Sequence, residues 1–465
     1  MPENSGGGLN PVALAFMLCM GILLLALPRR YALIPLFAAA CYMTMGQVVK
    51  IGGLNFSIIR ILTLVGWLRL AVRREFRVFP LNGFDSMMLY WTIATVTTYT
   101  ILWGTADAFV YKCGQAYDVI GLYILFRSLI RGIDEIAAAF RMFVFLIVPL
   151  ALLMLVERAT GRNLFAVFGG VPAVTLVREG VLRCQGPFPH SILAGTFAAA
   201  LLPQFVSLWW QRGSGRLLAI IGVGCAAVIT GASGSSGPVM TFACGMVGLA
   251  FWPWRLKMRA VRWGLVLVVI LLQLAMKAPF WFLIAHLAVR SGSDAFYRAY
   301  LIDRTIVHFG EWWLIGTKYQ VPWGTKLTDI TNMYVRVAID GGMLTLMLFL
   351  TLLKHSFAGV GRALRAQRHA SLPQQHCIWA LGASLFAHVV TFLAVWYWDQ
   401  NIVNWYLLLA MIGTVSAPAY LAQKQKRSLS GQVQPVPAVS SDQSWSWPSS
   451  VHDRQQAAQR LLLLD

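Results

Sequence analysis

Of 465 residues, 58% are apolar and only 12% are charged, whereas soluble domains carry about 25% charged residues in order to meet water. That excludes a soluble globular or a disordered chain and leaves lipid as the solvent for most of the surface. The formal charge of +20 falls in short connections between apolar blocks, the distribution of cytoplasmic loops, so no nucleic-acid partner is expected.

The apolar blocks run to roughly 17–22 residues, the length that crosses about 30 Å of hydrocarbon as a helix. In chain order they fall at residues 11–28, 31–49, 54–72, 84–103, 108–129, 139–156, 191–209, 217–230, 237–252, 263–276, 334–353, 378–397 and 402–422. The expected fold is an all-α, polytopic transmembrane helix bundle of about 12–13 spans, with two long outside loops that contain short helices. The first block reads as a retained helix, because residues 1–10 hold no basic residue and Arg29-Arg30 follow the block. Further basic connections hold Arg73, Arg74 and Arg77, then Arg127 and Arg131, then Arg212 and Arg216. Others lie at 255–262, 354–368 and 424–427, and one topology satisfies all of them: N-terminus outside, C-terminus inside. Residues 1–426 form the transmembrane domain, and the Ser/Gln/Pro-rich residues 427–465 read as a disordered cytoplasmic tail. The seven cysteines show no CxxC spacing and lie mostly inside apolar blocks. They act as small hydrophobes, with neither a disulfide framework nor a metal site expected. Within spans, Arg60, Lys112 and Asp118 would be costly facing lipid, and a basic partner is expected for Asp118.

The two outside loops, 157–190 and 277–332, are too long to be simple connections and too rich in Trp, Phe, Tyr and Ile to be disordered. Stretches 280–289 and 294–309 in the second read as helices at the membrane surface, with Ser293 as a cap. Arg158, Arg162, Arg178 and Arg183 stand in the first loop against Glu157 and Glu179; Arg290, Arg298 and Arg304 stand in the second. Outside loops normally avoid Arg, so this set points to an anionic ligand that guanidinium forks would grip. The plainer alternative is pairing with lipid headgroups or neighbouring acids, as for Asp294 four residues before Arg298. The stretch Arg183-Cys-Gln-Gly-Pro-Phe-Pro-His190 leads rigidly into a span, placing Arg183 and His190 at the membrane boundary. Gly231-Ala-Ser-Gly-Ser-Ser-Gly237 joins two spans with small residues, which permit close helix approach or leave N–H groups open to an anion. It lacks the Lys of a phosphate-cradling P-loop, so nucleotide binding is not expected. Asp329 reads as either a general base or the cap of the following helix.

The order of several motifs resembles the bacterial O-antigen ligase/polymerase superfamily, membrane glycosyltransferases that use polyprenyl-diphosphate-linked glycans. The likeness runs over roughly residues 118–350. It rests on the helix from Asp118 to Arg127, Glu157-Arg-Ala-Thr-Gly161, the Arg183 to His190 stretch, residues 231–237, Arg298, Ile315-Gly316, and Thr331-Asn332-Met-Tyr334 before Gly341-Gly342. The resemblance implies a metal-independent and cofactor-free glycosyltransferase in the bacterial inner membrane, its active site facing the periplasm. Its partners would be an undecaprenyl-diphosphate-linked glycan donor, a glycan or lipid acceptor, the bilayer, and chain-length or flippase proteins. Arg183 and Arg298, with Arg178 as a weaker third, would hold the diphosphate, and the base would be Asp329, His308 or His190. Ligases of the family typically show His-Asn where this chain has Thr331-Asn332, which tilts the expectation toward polymerisation. A lipid-linked glycan transporter, or a non-catalytic assembly partner, is the competing reading.

Overall fold

The computed structural model describes residues 10–51, 54–76, 82–283, 295–324, 327 and 329–417. The tail at 427–465, Arg290, the Ser293 cap and the Asp294 partner of Arg298 lie outside these residues. The chain is mostly helical. Helices α1 (Pro11–Ala26) and α2 (Leu33–Tyr42) precede an antiparallel hairpin, β1 (Val48–Ile51) with β2 (Leu54–Ser57). Then come α3 (Ile58–Val72), α4 (Gly83–Trp103), α5 (Ala106–Ala116), a π-helical turn at Tyr117–Gly121, α6 (Leu122–Leu129) and α7 (Ile133–Thr160). A second hairpin, β3 (Leu176–Arg178) with β4 (Val181–Arg183), leads to α8 (Ser191–Ser207), α9 (Gly215–Ala232), α10 (Ser236–Ala250) and α11 (Met258–Ala275). The chain closes with α12 (Ala295–Val307), short α13 (Phe309–Trp312), α14 (Met333–Ala366), α15 (Leu372–Thr391) and α16 (Gln400–Val415).

Local chemistry explains where these helices start and stop. Asn10 accepts from Val12 N–H ahead of Pro11 at the first helical position, and Ser57 and Thr105 cap α3 and α5 in the same way. Asn82 and Asp85 form a reciprocal capping box on α4. Gly104 and Gly161 end α4 and α7 in the left-handed conformation that only glycine adopts cheaply.

Among the described residues, five helices are long and apolar enough to cross a membrane: Ile133–Thr160, Ser191–Trp210, Gly215–Ala232, Met258–Ala275 and Met333–Ala366, the mark of a membrane protein. Pro11–Ala26 and Ser236–Ala250 are apolar but shorter. The block at 31–49 does not continue as helix. It stops at Tyr42, and Val48, Val49 and Ile51 enter the first hairpin, where β-branched residues suit a pleated surface. No residue of α11 is buried, so only hydrocarbon can satisfy that apolar helix.

Two ends of the bundle differ in chemistry. At one, Arg29 pairs with Glu135 at 2.6 Å, and Arg69 holds Glu75 at 2.8 Å together with the Leu24 and Leu27 carbonyls that end α1. Arg127 joins them there, pairing with Asp85 at 3.4 Å and donating to Thr414. Cations at exposed C-terminal carbonyls complement the helix dipole. The opposite end collects the loops: Asn10 bonds Gln47 and the Val167 carbonyl, and Gln400 donates to the carbonyls of Met43 and Pro187.

Helix α14 is broken at Gly342, whose φ of 79° and ψ of −171° belong to glycine alone. Residues 313–317 dock in the break: Met343 N–H donates to the Trp313 carbonyl and Thr317 N–H to the Ile339 carbonyl. A Cβ on Gly342 would lie 2.5 Å from the Leu314 oxygen. Gly342→Ala is therefore expected to destabilise the protein by at least about 1–3 kcal/mol. Gly21→Ala, where a Cβ meets nothing within 4 Å, should leave stability unchanged or raised; thermal unfolding of detergent-solubilised protein compares the two.

Candidate functional site

The loop that follows α7 is organised by one buried carboxylate. Glu157, 1% exposed, accepts hydrogen bonds from Thr175 Oγ1 at 3.1 Å, Gln185 N–H at 3.0 Å and Gly186 N–H at 2.8 Å. Asn163 Nδ2 adds a bond to the Gly186 carbonyl, and Arg158 Nη1 one to the Leu182 carbonyl. These contacts hold β4 and its terminal Arg183 against the rest of the bundle. The adjoining Cys184 is no nucleophile at neutral pH, since burial, with Glu157 beside it, pushes the thiol up to about 11.

Residues 231–237 are the meeting point. Cys184 N–H donates to the Ala232 carbonyl at 3.1 Å. Gly234, at φ +59°, leaves no space for a side chain, because a Cβ there would stand 2.6 Å from the Leu182 oxygen. On the other flank, a Cβ on Gly237 would lie 3.9 Å from Arg298 Nη2 and 3.7 Å from Ile192 in the first turn of α8. The segment thus meets the backbone on either side of Arg183, through Leu182 and Cys184, and lies close to the guanidinium of Arg298, itself only 9% exposed. That segment opens α10, whose N-terminal N–H groups add partial positive charge. His190 caps α8 beside it, its Nδ1 accepting from Ile192 N–H at 3.2 Å. A lone pair committed there leaves the ring proton on Nε2, so this imidazole presents a donor.

Other expected site residues lie apart. Arg178 sits on β3 with 39% of its side chain exposed and Glu179 at 3.7 Å. Arg304 is held by Asp303 at 2.8 Å and by the Tyr300 ring. Asp329 is exposed, and its carbonyl accepts from the hydroxyl of Tyr297, the neighbour of Arg298 on α12. It does not cap α14, because Asn332 takes that role by accepting from the Tyr334 and Val335 N–H groups. His308 follows the end of α12, roughly 15 Å along the axis from Arg298 at 1.5 Å per residue. Its Nδ1 meets Glu311 Oε1 at 2.7 Å, while Trp323 stacks on the ring and donates to Glu311 Oε2. The hydrogen bond from His308, then that from Trp323, hold the exposed Glu311 carboxyl below its usual range.

A second polar feature at this end escaped the sequence. A cavity of about 390 Å³ is lined by Arg60 and Asp118, by Lys112, Arg336 and Asp340, and by Asp399. Arg60 grips Asp118 through two parallel bonds of 2.8 and 2.6 Å; Asp340 is shared by Lys112 at 2.8 Å and Arg336 at 3.1 Å. The partner expected for Asp118 is therefore Arg60. The π-helical turn carries Asp118, the kind of helix widening that often marks a functional position. Arg336 and Asp340 carried the same signal as Lys112, a charge inside an apolar block, whereas Asp399, between two blocks, gave none.

Removing the Glu157 carboxylate strands two buried backbone N–H groups. Glu157→Ala should cost about 1–3 kcal/mol and speed limited proteolysis within 161–183, with Glu157→Gln intermediate. Thermal unfolding and protease digestion of the purified protein check both.

Among known proteins, no family model matches the chain and no curated protein shows significant similarity to it.

Proposed function

We propose that this chain is a metal-independent glycosyltransferase of a bacterial inner membrane. It transfers or polymerises polyprenyl-diphosphate-linked glycan units at the outer face, polymerisation ahead of ligation. The reading rests on the order of motifs resembling the O-antigen ligase/polymerase superfamily, and one observation carries it furthest. Of the two residues singled out from sequence as the diphosphate clamp, Arg298 brings its guanidinium close to Gly237, and Arg183 lies between Leu182 and Cys184, whose backbones pack on residues 232–234. In this reading the chain crosses the membrane about thirteen times, the arginine-paired end faces the cytoplasm, and the loop end faces outward. The described helices long enough to cross, and the cations gathered at one end, support that orientation.

The chemistry follows from the placement. The two guanidinium groups and the α10 N-terminus hold the donor diphosphate and stabilise the charge that grows on it. An acceptor hydroxyl oxygen attacks the anomeric carbon from the opposite side. The bond from that carbon to the diphosphate oxygen breaks, its electron pair leaving with the diphosphate, and the configuration inverts. The hydroxyl proton passes to a carboxylate or imidazole. Of the three candidate bases, Asp329 stands over the first turn of the helix that carries Arg298, His308 is held by Glu311 further along it, and His190 presents a donor. Asp329 is the favoured base.

Surface-glycan profiles of a deletion strain complemented with variants test this. Wild type should restore long chains, and Arg183→Ala and Arg298→Ala should each lower polymer by about 10²-fold or more, the usual cost of removing one transition-state donor. Asp329→Asn should fall further than His308→Gln. Full rescue by both arginine variants overturns the proposal, and polymer that accumulates unattached on its carrier in the deletion strain shifts the assignment to ligation.

A further inference from the structure

The cavity between α3, α5, α14 and the turn at 392–399 has no task in the mechanism above, yet its walls are built for a ligand. We propose that it is a binding site for an uncharged carbohydrate, the acceptor end of a glycan; only the word acceptor rests on the function proposed above.

Charge comes first. Three cations, Arg60, Lys112 and Arg336, face three carboxylates, Asp118, Asp340 and Asp399. The first two carboxylates are already engaged at 2.6–3.1 Å. An ionic ligand would compete with these sheltered pairs, and leaving one partner uncompensated is strongly unfavourable. A neutral polyol need not do so. Each carboxylate keeps lone pairs that its cation does not use, and hydroxyl groups both donate and accept.

Shape comes second. Trp91, Tyr111, Trp396 and Trp398 line the same walls, with Trp396 and Trp398 near-parallel at 15° and 6.2 Å between centroids. Arg336 lies 5.0 Å from the Trp396 ring centre, which fixes that ring. Alternating apolar faces and charged edges match a pyranose, whose ring faces carry C–H groups and whose rim carries hydroxyls. The volume lies within the range of small-molecule sites.

Backbone conformation comes third. Asp399 is one of three non-glycine residues with positive φ among those described, at φ 54° and ψ −131°. A residue held there costs about 1–3 kcal/mol, and such strain gathers at functional positions. Burial, with the Asp118 charge adding and Arg60 opposing, raises its carboxyl to about 7. Near neutral pH it thus serves a hydroxyl as acceptor or as donor.

Position gives the site its meaning. The segment that carries Asp399 continues into Gln400 and Asn401, which donate to the carbonyls of Pro187 and Leu193 on either side of the start of α8. The wall of the cavity is therefore pinned to the stretch that leads from Arg183 through His190.

The test is equilibrium binding to the full-length protein in detergent, read by tryptophan fluorescence and calorimetry. The probes are the neutral disaccharides chitobiose, lactose and mannobiose, with glucuronic acid and glucosamine as charged counterparts. Saturable binding of at least one neutral disaccharide in the millimolar range is expected, weakened at least tenfold by Trp398→Ala and by Asp399→Asn. Trp398→Phe should retain it, which separates loss of the ring face from misfolding. Arg183→Ala and Arg298→Ala should leave it unchanged. No saturable binding of any neutral probe, tighter binding of a charged one, or equal loss in Arg183→Ala overturns the proposal. Those outcomes leave the transferase reading standing if Arg183→Ala and Arg298→Ala still abolish glycan assembly. Conversely, disaccharide binding in a protein whose arginine variants assemble glycan normally keeps the cavity and discards the transferase.

Discussion

The break at Gly342 is the constraint on which the loop end of this protein depends. In an apolar medium every backbone donor and acceptor must find a protein partner, so a helix interrupted there is tolerable only if another segment supplies the missing bonds. Residues 313–317 supply them. The first two turns of α14, carrying Arg336 and Asp340, are thereby set at an angle that the remaining helix does not impose. The long loop before α14 is fastened at the same stroke. Ile315-Gly316 and Gly341-Gly342, separate in sequence, are two halves of one joint: a Cβ on Gly316 would collide with the Ile339 carbonyl.

Much of this was legible in the residues. The apolar blocks locate nearly every long helix, because hydrocarbon solvation leaves few alternatives to a helix. Asn10, Ser57 and Asn82 announce helix starts by chemistry that needs no tertiary context. Arg183 and Arg298 stood out because arginine is rare in such loops; Arg298 comes close to Gly237, and the neighbours of Arg183 pack on residues 232–234. Three things were not legible. The hairpin at Val48–Ser57 hid inside an apolar block, since β-branched apolar residues look alike in a strand and in a membrane helix. Glu157 looked like a counter-charge for neighbouring arginines, whereas it binds backbone N–H groups from residues 185 and 186. The ionic cavity is assembled from α3, α5, α14 and the 392–399 turn, and no local spacing reports contacts at separations such as Lys112 with Asp340.

Two polar regions on one end of the bundle share structural supports while keeping separate chemistries. The 231–237 segment offers the partial positive charge of a helix start beside Arg298, suited to an anion. The cavity offers balanced charge and ring faces, suited to a neutral ligand. Between them runs the chain from Phe392 to Asn401, tied to α14 through Met333 N–H and Asn332, and to α8 through Gln400 and Asn401. Thr391, at the end of α15, also meets Thr241 of α10 at 2.6 Å. Few elements could shift on one side without being felt on the other, as close-packed interiors transmit displacement.

Helix α11 is the exception to this mutual fastening. It has no buried residue, and Met258 at its start is the partly buried position that packs against the core. It also stands immediately before the loop that delivers Arg298. Bilayer thickness and lateral pressure therefore act directly on one root of that loop, whereas the other root is clamped at Gly342. The lipid is in that sense a structural component of the arginine's placement, and a protein moved from a thick to a thin bilayer would hold Arg298 on a differently tensioned arm.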